Sequence, residues 1–330
     1  MKKFMGFILW VLVTLILIVP VSAQASDQVG TDLVYRLKWK FNTSVAGDIY
    51  ADSNGYFKQK GLKVEVKAGG VGINAIRELE LGRAQFGVAS ADQVIQALEK
   101  GADIIVIAQL FQANPLQWIY RSDQPRIKTL QDLKGKRIGV TFGGNDDAIM
   151  KTILAKGQLT KTDVKIISVQ GNALPFFKKD ADLWPVYRNS QGVSYQDKLA
   201  REGEGVRFFN PQDFGVSFVA NSVITTGKLY KKQPGLVNSF LSALLRAWED
   251  AMTPEHENAV LNAVKQLDGG INDDIRKKQL AATKTLIKPD PDIKIGQIDM
   301  GGWEMTESIL IKEGLIKKPV KIADRLIQIK

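Results

Sequence analysis

A short apolar run ends in small residues and passes directly into a helical pattern, and the chain does this twice. "FGVASADQVIQAL" covers 86–98 and "IGVTFGGNDDAIMKTIL" covers 138–154. Each reads as a strand, a tight polar turn and a helix. In open α/β sheets ligands gather beyond the carboxyl ends of the strands, where such helices begin. Two of these units facing each other predict a cleft with one helix N-terminus on each wall.

The surroundings repeat the same rhythm. "LVYRLKWKF" (33–41) reads as a strand, and "SVAGDIYADSNGYFKQKG" as a helix ending near Gly55 or Gly61. "LKVEVKAG" alternates with period two. "INAIRELELG" and "ADQVIQALEKG" are helical, while "AQFGVA" and "DIIVIAQLF" are strands. A second unit follows "RSDQPRIKTLQDLKG": strand "KRIGVTF", helix "DDAIMKTILAKG", strand "KIISV", then short strands in "DADLWPV" and "VRFF". "FGVSFVANSVITT" is apolar and β-rich, and helices dominate beyond Gly227. Alternating strands and helices predict an α/β fold of mostly parallel sheets covered by helices.

The chain has 330 residues, enough for about two domains, treating ~150 residues per domain as a soft prior. It has no cysteine and one histidine, which excludes disulfides, thiolate metal sites and a cysteine nucleophile. His256 reads as a solvated residue in the first turn of a helix. The net charge is +10, with dispersed lysines and no basic stripe interleaved with aromatics, which argues against nucleic-acid binding.

"MKKFMGFILWVLVTLILIVPVSAQAS" opens with Lys2 and Lys3, continues as an apolar run and ends in small residues. It reads as a secretory signal peptide, residues 1–23, cut after Ala23 or Ala25. The alternative is an uncleaved membrane anchor, because the run approaches the length that spans a bilayer. No cysteine follows it for lipid attachment. The expectation is a periplasmic protein.

"GYFKQKGLKVEVKAGGVGINAIRELELGRAQFGVASADQVIQALEKGADIIVIAQLF" resembles the first lobe of periplasmic solute-binding proteins of the nitrate/sulfonate/thiamine-pyrimidine-precursor family. "LKGKRIGV", "GVSFVANSVITT", "KQPGLVNSFLSALLRAWEDA" and the tail "IKEGLIKKPV" are similar as well, so the likeness spans nearly all of the mature chain. "YRNSQGVSYQDKLAREGEGVRFFNPQDFGVSF" is similar to the second lobe of the thiamine-precursor binders. Those carry an acidic residue where Ser190 and Gln191 stand here. That departure puts a cationic or amino-pyrimidine ligand in question.

The resemblance implies a type II two-lobed periplasmic binding protein with two crossover hinge strands. Lobe one would comprise 30–122 plus 219–330, and lobe two 123–218. It implies the substrate-binding component of an ABC importer, a monomer that closes on a small planar heteroaromatic molecule and docks on an inner-membrane permease. The alternative ligand is a small organic anion: sulfonate, nitrate or aromatic carboxylate. A membrane-anchored sensory module is a weaker reading. So is a pyrimidine-synthase-like enzyme, because that chemistry relies on cysteines and histidines this chain lacks. No catalytic residue, cofactor or metal is expected.

The candidate ligand-binding residues are Trp39, Asn42, Ser90, Asp92, Asn114, Phe142, Gly143, Gly144, Asn145, Asp146, Trp184, Tyr187 and Arg188. The Gly143–Gly144 turn offers free N–H donors at a helix N-terminus, but it has no Gly-Lys-Ser/Thr and carries Asp146 and Asp147, so it is not a nucleotide loop. Its plainer reading is a capped turn with Asn145 or Asp146 as N-cap. Ser90 and Asp92 are the counterpart in the other half. Trp39 and Asn42 leave the first strand at the cleft, and Trp184 or Tyr187 suits stacking on a planar ring. Arg188 suits an anionic group on the ligand. Asn114 lies at the first crossover beside Phe111 and Trp118, with a structural role equally open. Asp48, about one turn inside its helix, suits solvent as well as the cleft. Trp248 and Trp303 read as packing residues.

Overall fold

The computed structural model describes residues 32–329. The signal-peptide segment, 1–23, lies outside the described residues, as do both cleavage positions. Among the described residues no helix is long and apolar enough to cross a membrane.

The chain begins with β1 (Asp32–Arg36), α1 (Ala46–Ser53) and α2 (Tyr56–Gln59). Of the two ends expected for the first helix, Gly55 marks the end of α1, adopting a left-handed conformation between α1 and α2. β2 (Lys63–Lys67), α3 (Ala75–Glu80), β3 (Phe86–Ala89), α4 (Ala91–Glu99) and β4 (Ile104–Gln109) complete the first run. Then come β5 (Leu116–Arg121), β6 (Arg137–Val140), α5 (Asn145–Lys156), β7 (Lys165–Ser168), α6 (Leu174–Phe177), β8 (Trp184–Tyr187), α7 (Gln191–Arg201) and β9 (Val206–Phe209). β10 (Ser222–Thr226) precedes the helices α8 (Gly227–Lys232), α9 (Pro234–Met252), α10 (Glu257–Leu267), α11 (Asp273–Ile287) and α12 (Met300–Lys312).

Five strands form one sheet in the order β2-β1-β3-β10-β4. β1 is parallel to β2 and β3, while β10 returns from the far end of the sequence and lies antiparallel between β3 and β4. β8-β5-β9 is antiparallel and β6-β7 parallel. A parallel bridge between Ile138 and Leu183 joins β6 to β8. The parallel expectation therefore holds where strands alternate with helices. Antiparallel pairs occur where the chain crosses between sheets.

Those crossings occupy 110–115 and 210–221, and they are held side by side. The N–H groups of Leu110 and Phe111 both donate to the Asn221 carbonyl, at 3.0 and 3.2 Å. The Asn114 side chain donates to the Phe218 carbonyl at 2.8 Å. "FGVSFVANSVITT" contributes only β10, because its first half belongs to this crossing.

One face of the five-stranded sheet packs on α1, α9 and α10, with Tyr35, Phe86, Phe240 and Trp248 in its core. A second buried cluster runs from Ile95 of α4 to Trp118, Ile138 and Ile149 beyond the crossings. Asp48 is not solvated: it is 1 % exposed and accepts a 2.6 Å hydrogen bond from the Tyr35 hydroxyl. Burial lifts its carboxyl to about 7, despite the bond from Tyr35 that favours the ionised form. His256 is half-buried at the end of a short 3-10 turn, its Nδ1 3.0 Å from the Thr253 hydroxyl and its ring beside Tyr50, rather than solvated.

Candidate functional site

β3 and β6 both end in a turn that opens a helix, and the two helices begin close together. Asp92 is the second residue of α4 and Asp146 the second of α5, so the sequence echo places one carboxylate in the first turn of each. Both positions favour negative charge through the helix dipole. Both side chains are nonetheless buried, and desolvation raises each carboxyl to about 6. Lys38, just beyond β1, is close enough to favour ionisation of both.

The α5 turn is built by its own residues. Gly143 sits at φ +74°, a region L side chains rarely adopt. The N-cap is Gly144, not Asn145 or Asp146. Asp146 reaches back to accept the Thr141 N–H at 2.6 Å, and Asp147 accepts from the Gly143 N–H at 3.2 Å and from Lys151 at 2.9 Å. Gly139, in β6, leaves room for an indole: a Cβ there would lie 2.6 Å from Trp184 Cε3.

Two adjoining cavities flank this junction. One, of about 230 Å³, is lined by Lys38, Trp39, Asn145, Asp146, Trp184, Tyr187, Gln191 and Tyr195, among others. The other, of about 260 Å³, shares Lys38, Trp39, Thr141, Asn145 and Asp146 and adds Phe142, Gly143, Gly144 and the 70–75 loop. Eight of the candidates therefore gather on one surface: Trp39, Phe142, Gly143, Gly144, Asn145, Asp146, Trp184 and Tyr187. Asn145 Nδ2 is buried there and has no hydrogen-bond partner.

Trp39 is half-buried and borders both cavities, so its indole is available to a ring. Trp184 is only 2 % exposed and belongs to a cluster with Ile119, Phe176 and Leu199. Packing claims most of its surface and leaves an edge at the wall, which favours Trp39 and Tyr187 over Trp184 as stacking partners.

Ser90 and Asp92 lie behind the wall. Ser90 is buried and its hydroxyl accepts from Lys38 Nζ, while its N–H donates to the Gln93 side chain at 3.3 Å. Asp92 is fully buried, and neither carboxylate oxygen has a hydrogen-bond partner of good geometry.

Like Ser90 and Asp92, three further candidates line neither cavity. Asn42 caps the following turn by accepting the Ser44 N–H at 2.7 Å. Asn114 is spent on the crossings through Phe218 and the Leu116 N–H. Arg188 is exposed and lines neither cavity; its N–H donates to the Pro115 carbonyl at 2.9 Å. Polar residues at strand ends serve local backbone groups as readily as a ligand.

The residue the sequence reading missed is Lys38. Its ammonium donates to the Tyr187 hydroxyl at 2.8 Å, and that hydroxyl donates to Asn221 Oδ1 at 3.1 Å. One lysine therefore links β1, the start of α4 and β8. Its only sequence signal is its place beside Trp39 at the end of a strand.

This cleft, between two strand systems joined by paired crossings, can be set beside known proteins. A family model described as NMT1/THI5 like matches residues 42–258, well over half of the chain. The chain belongs to the NMT1/THI5-like family. Family relatives include a Haemophilus influenzae protein named for thiamine biosynthesis, 25 % identical over 300 residues, covering 89 % of this chain and 90 % of that one. A formylaminopyrimidine-binding protein of Halalkalibacterium halodurans is 22 % identical over 307 residues, covering 91 % of each. The periplasmic aliphatic sulphonate binding protein of Escherichia coli superposes with a TM-score of 0.68 at 17 % identity, over 91 % of this chain and 94 % of that one. The desulfurization enzyme DSZB superposes with a TM-score of 0.59 at 15 % identity, over 90 % and 96 %. The chain thus has the periplasmic binding protein fold. The fold also carries an enzyme, so function must be argued from the site.

Proposed function

We propose that this protein is the solute-capturing component of an ABC importer, binding a small planar heteroaromatic molecule by cleft closure without chemical change. The observation that carries this reading is the wall shared by the two cavities. A half-buried indole, Trp39, lines that wall with Lys38, Asp146 and the unpartnered Asn145 amide, and Tyr187 lines the first cavity. A flat apolar face with a few placed polar groups is how pockets select a heterocycle. Lobe one would be 30–122 with 219–330 and lobe two 123–218, moving about the paired crossings. The protein would act as a periplasmic monomer and deliver its ligand to an inner-membrane permease. The name of the pyrimidine-binding relative agrees with this ligand class.

Lys38 favours a second reading, a small organic anion such as a sulfonate. The buried Asp92 and Asp146 beside it oppose a fixed negative charge. A thermal-shift panel separates the two. A true ligand at a hundredfold excess over its Kd adds about 2.7 kcal/mol to stability. Aminopyrimidines or flavins should raise Tm, and alkanesulfonates, nitrate and aromatic carboxylates should not. The reverse pattern would establish the anion reading, and no shift with any of them would remove both.

A further inference from the structure

The second cavity asks for something other than a ring. Its rim carries three large apolar side chains turned to solvent: Val71 at 52 % exposure, Ile73 at 45 % and Phe142 at 66 %. Val71 and Ile73 project from the loop after β2, and Phe142 from the turn before α5, so the lips come from both sides of the cleft. The loop is fastened at its base, because the Gly69 N–H donates to the Trp39 carbonyl at 2.9 Å. Gly70 and Ile73 then pair across the loop, with the Ile73 N–H donating to the Gly70 carbonyl at 3.1 Å. Exposed apolar side chains gathered around a cavity mark a binding surface.

We infer that this second compartment is a subsite for an apolar appendage on the ligand, and that the natural ligand is a two-part molecule: a polar heterocyclic head with an aliphatic or aryl substituent. The inference rests on the heterocycle reading above and extends it. The division of labour follows from the linings. Hydrogen-bonding groups sit on the wall common to both compartments, where Lys38, Asn145 and Asp146 can reach the head. The outer compartment ends in Val71, Ile73 and Phe142, which offer no hydrogen bond and gain by leaving water. The unpartnered Asn145 amide lies at the junction, where a head must present an acceptor before its appendage passes outward.

The test is a chain-length series. 4-Aminopyrimidine and its methyl, propyl and pentyl derivatives, alkylated at C2 or at C5, are titrated into the full protein and into a Val71→Ser/Ile73→Ser variant. Both substitutions are at exposed positions, so the fold should survive, which far-UV circular dichroism checks. The expected result is an affinity gain approaching fourfold per added methylene along one of the two series, the value of burying one CH2. In the variant the ratio of pentyl to methyl affinity should fall at least tenfold. If the head binds but neither series gains affinity, or the variant keeps the wild-type ratio, the subsite is wrong while the heterocycle reading stands. If no member binds, the subsite is overturned, and the heterocycle reading with it when flavins also give no thermal shift.

Discussion

Lys38 Nζ lies 2.8 Å from the Tyr187 hydroxyl, joining residues 149 positions apart across the cleft. The ammonium also sits 5.5 Å from the centre of that phenol ring. The contact fastens the exit of β1 to β8, and through Tyr187 to Asn221 at the paired crossings. Tyr187→Phe keeps the ring and removes both bonds. A hydrogen bond to a charged group contributes about 1.5–3 kcal/mol. Urea denaturation should show a loss in that range, and small-angle scattering a larger radius of gyration in the ligand-free variant. An unchanged radius would mean that the contact does not hold the cleft.

Trp39 and Trp184 should separate by assay. Trp39→Ala should weaken heterocycle binding by ~1 kcal/mol or more, the worth of an aromatic pair beyond its buried area, with a small change in Tm. Trp184→Ala should destabilise the fold by about 3–5 kcal/mol, because a cavity opens beside Gly139 and Phe176. Calorimetric titration and thermal melts together distinguish the two roles.

Three buried carboxyls set the pH dependence. Asp48 is lifted to about 7, and Asp92 and Asp146 to about 6, in each case by desolvation first. An unfolded aspartate titrates near about 3.9. Between roughly pH 4 and pH 7 the native state therefore holds protons that the unfolded chain has released, so stability falls as pH rises through that window. Asp48→Asn still accepts from Tyr35 and removes the largest of the three contributions. Its Tm should vary less than wild type between pH 5 and pH 8. Parallel curves would show that Asp48 is ionised across the range.

A second polar seam lies outside the cleft. Asn189 Nδ2 donates to Ser44 Oγ at 3.0 Å and to Thr283 Oγ1 at 2.8 Å, and Gln279 Nε2 donates to the Ser190 carbonyl and Ser194 Oγ, both at 2.9 Å. Asn189→Ala leaves the buried Ser44 hydroxyl without a partner, at a cost of about 1–3 kcal/mol, while the Thr283 hydroxyl still donates to the Gln279 carbonyl. Denaturant titration should register that loss, although α11 lies beyond the residues matched by the family model.

Much of the framework was legible because periodicity and turn chemistry are local. The echo of 86–98 at 138–154 located both helix starts, and the resemblance supplied the family. What escaped notice depends on long-range contacts. Lys38 is one lysine in "RLKWK", and its meaning comes from Ser90 and Tyr187. Asp48 suits solvent as well as the cleft in sequence, and only the packing of Tyr35 and α9 over it shows that it is buried. Asn42, Asn114 and Arg188 looked functional as polar residues at strand ends, yet the two asparagines serve neighbouring backbone and the arginine faces solvent. The 69–74 loop carried apolar residues between glycines, a pattern that also describes an ordinary turn.

The central claim is capture of a planar heterocycle against Trp39 and Tyr187. Isothermal titration of the wild type, Trp39→Ala and Tyr187→Ala with the heterocycle giving the largest thermal shift tests it most directly. The account predicts one molecule bound per chain, with affinity reduced about fivefold or more in Trp39→Ala, the equivalent of ~1 kcal/mol, and reduced in Tyr187→Ala. Binding of equal strength in all three proteins, or no binding of any heterocycle, would contradict it.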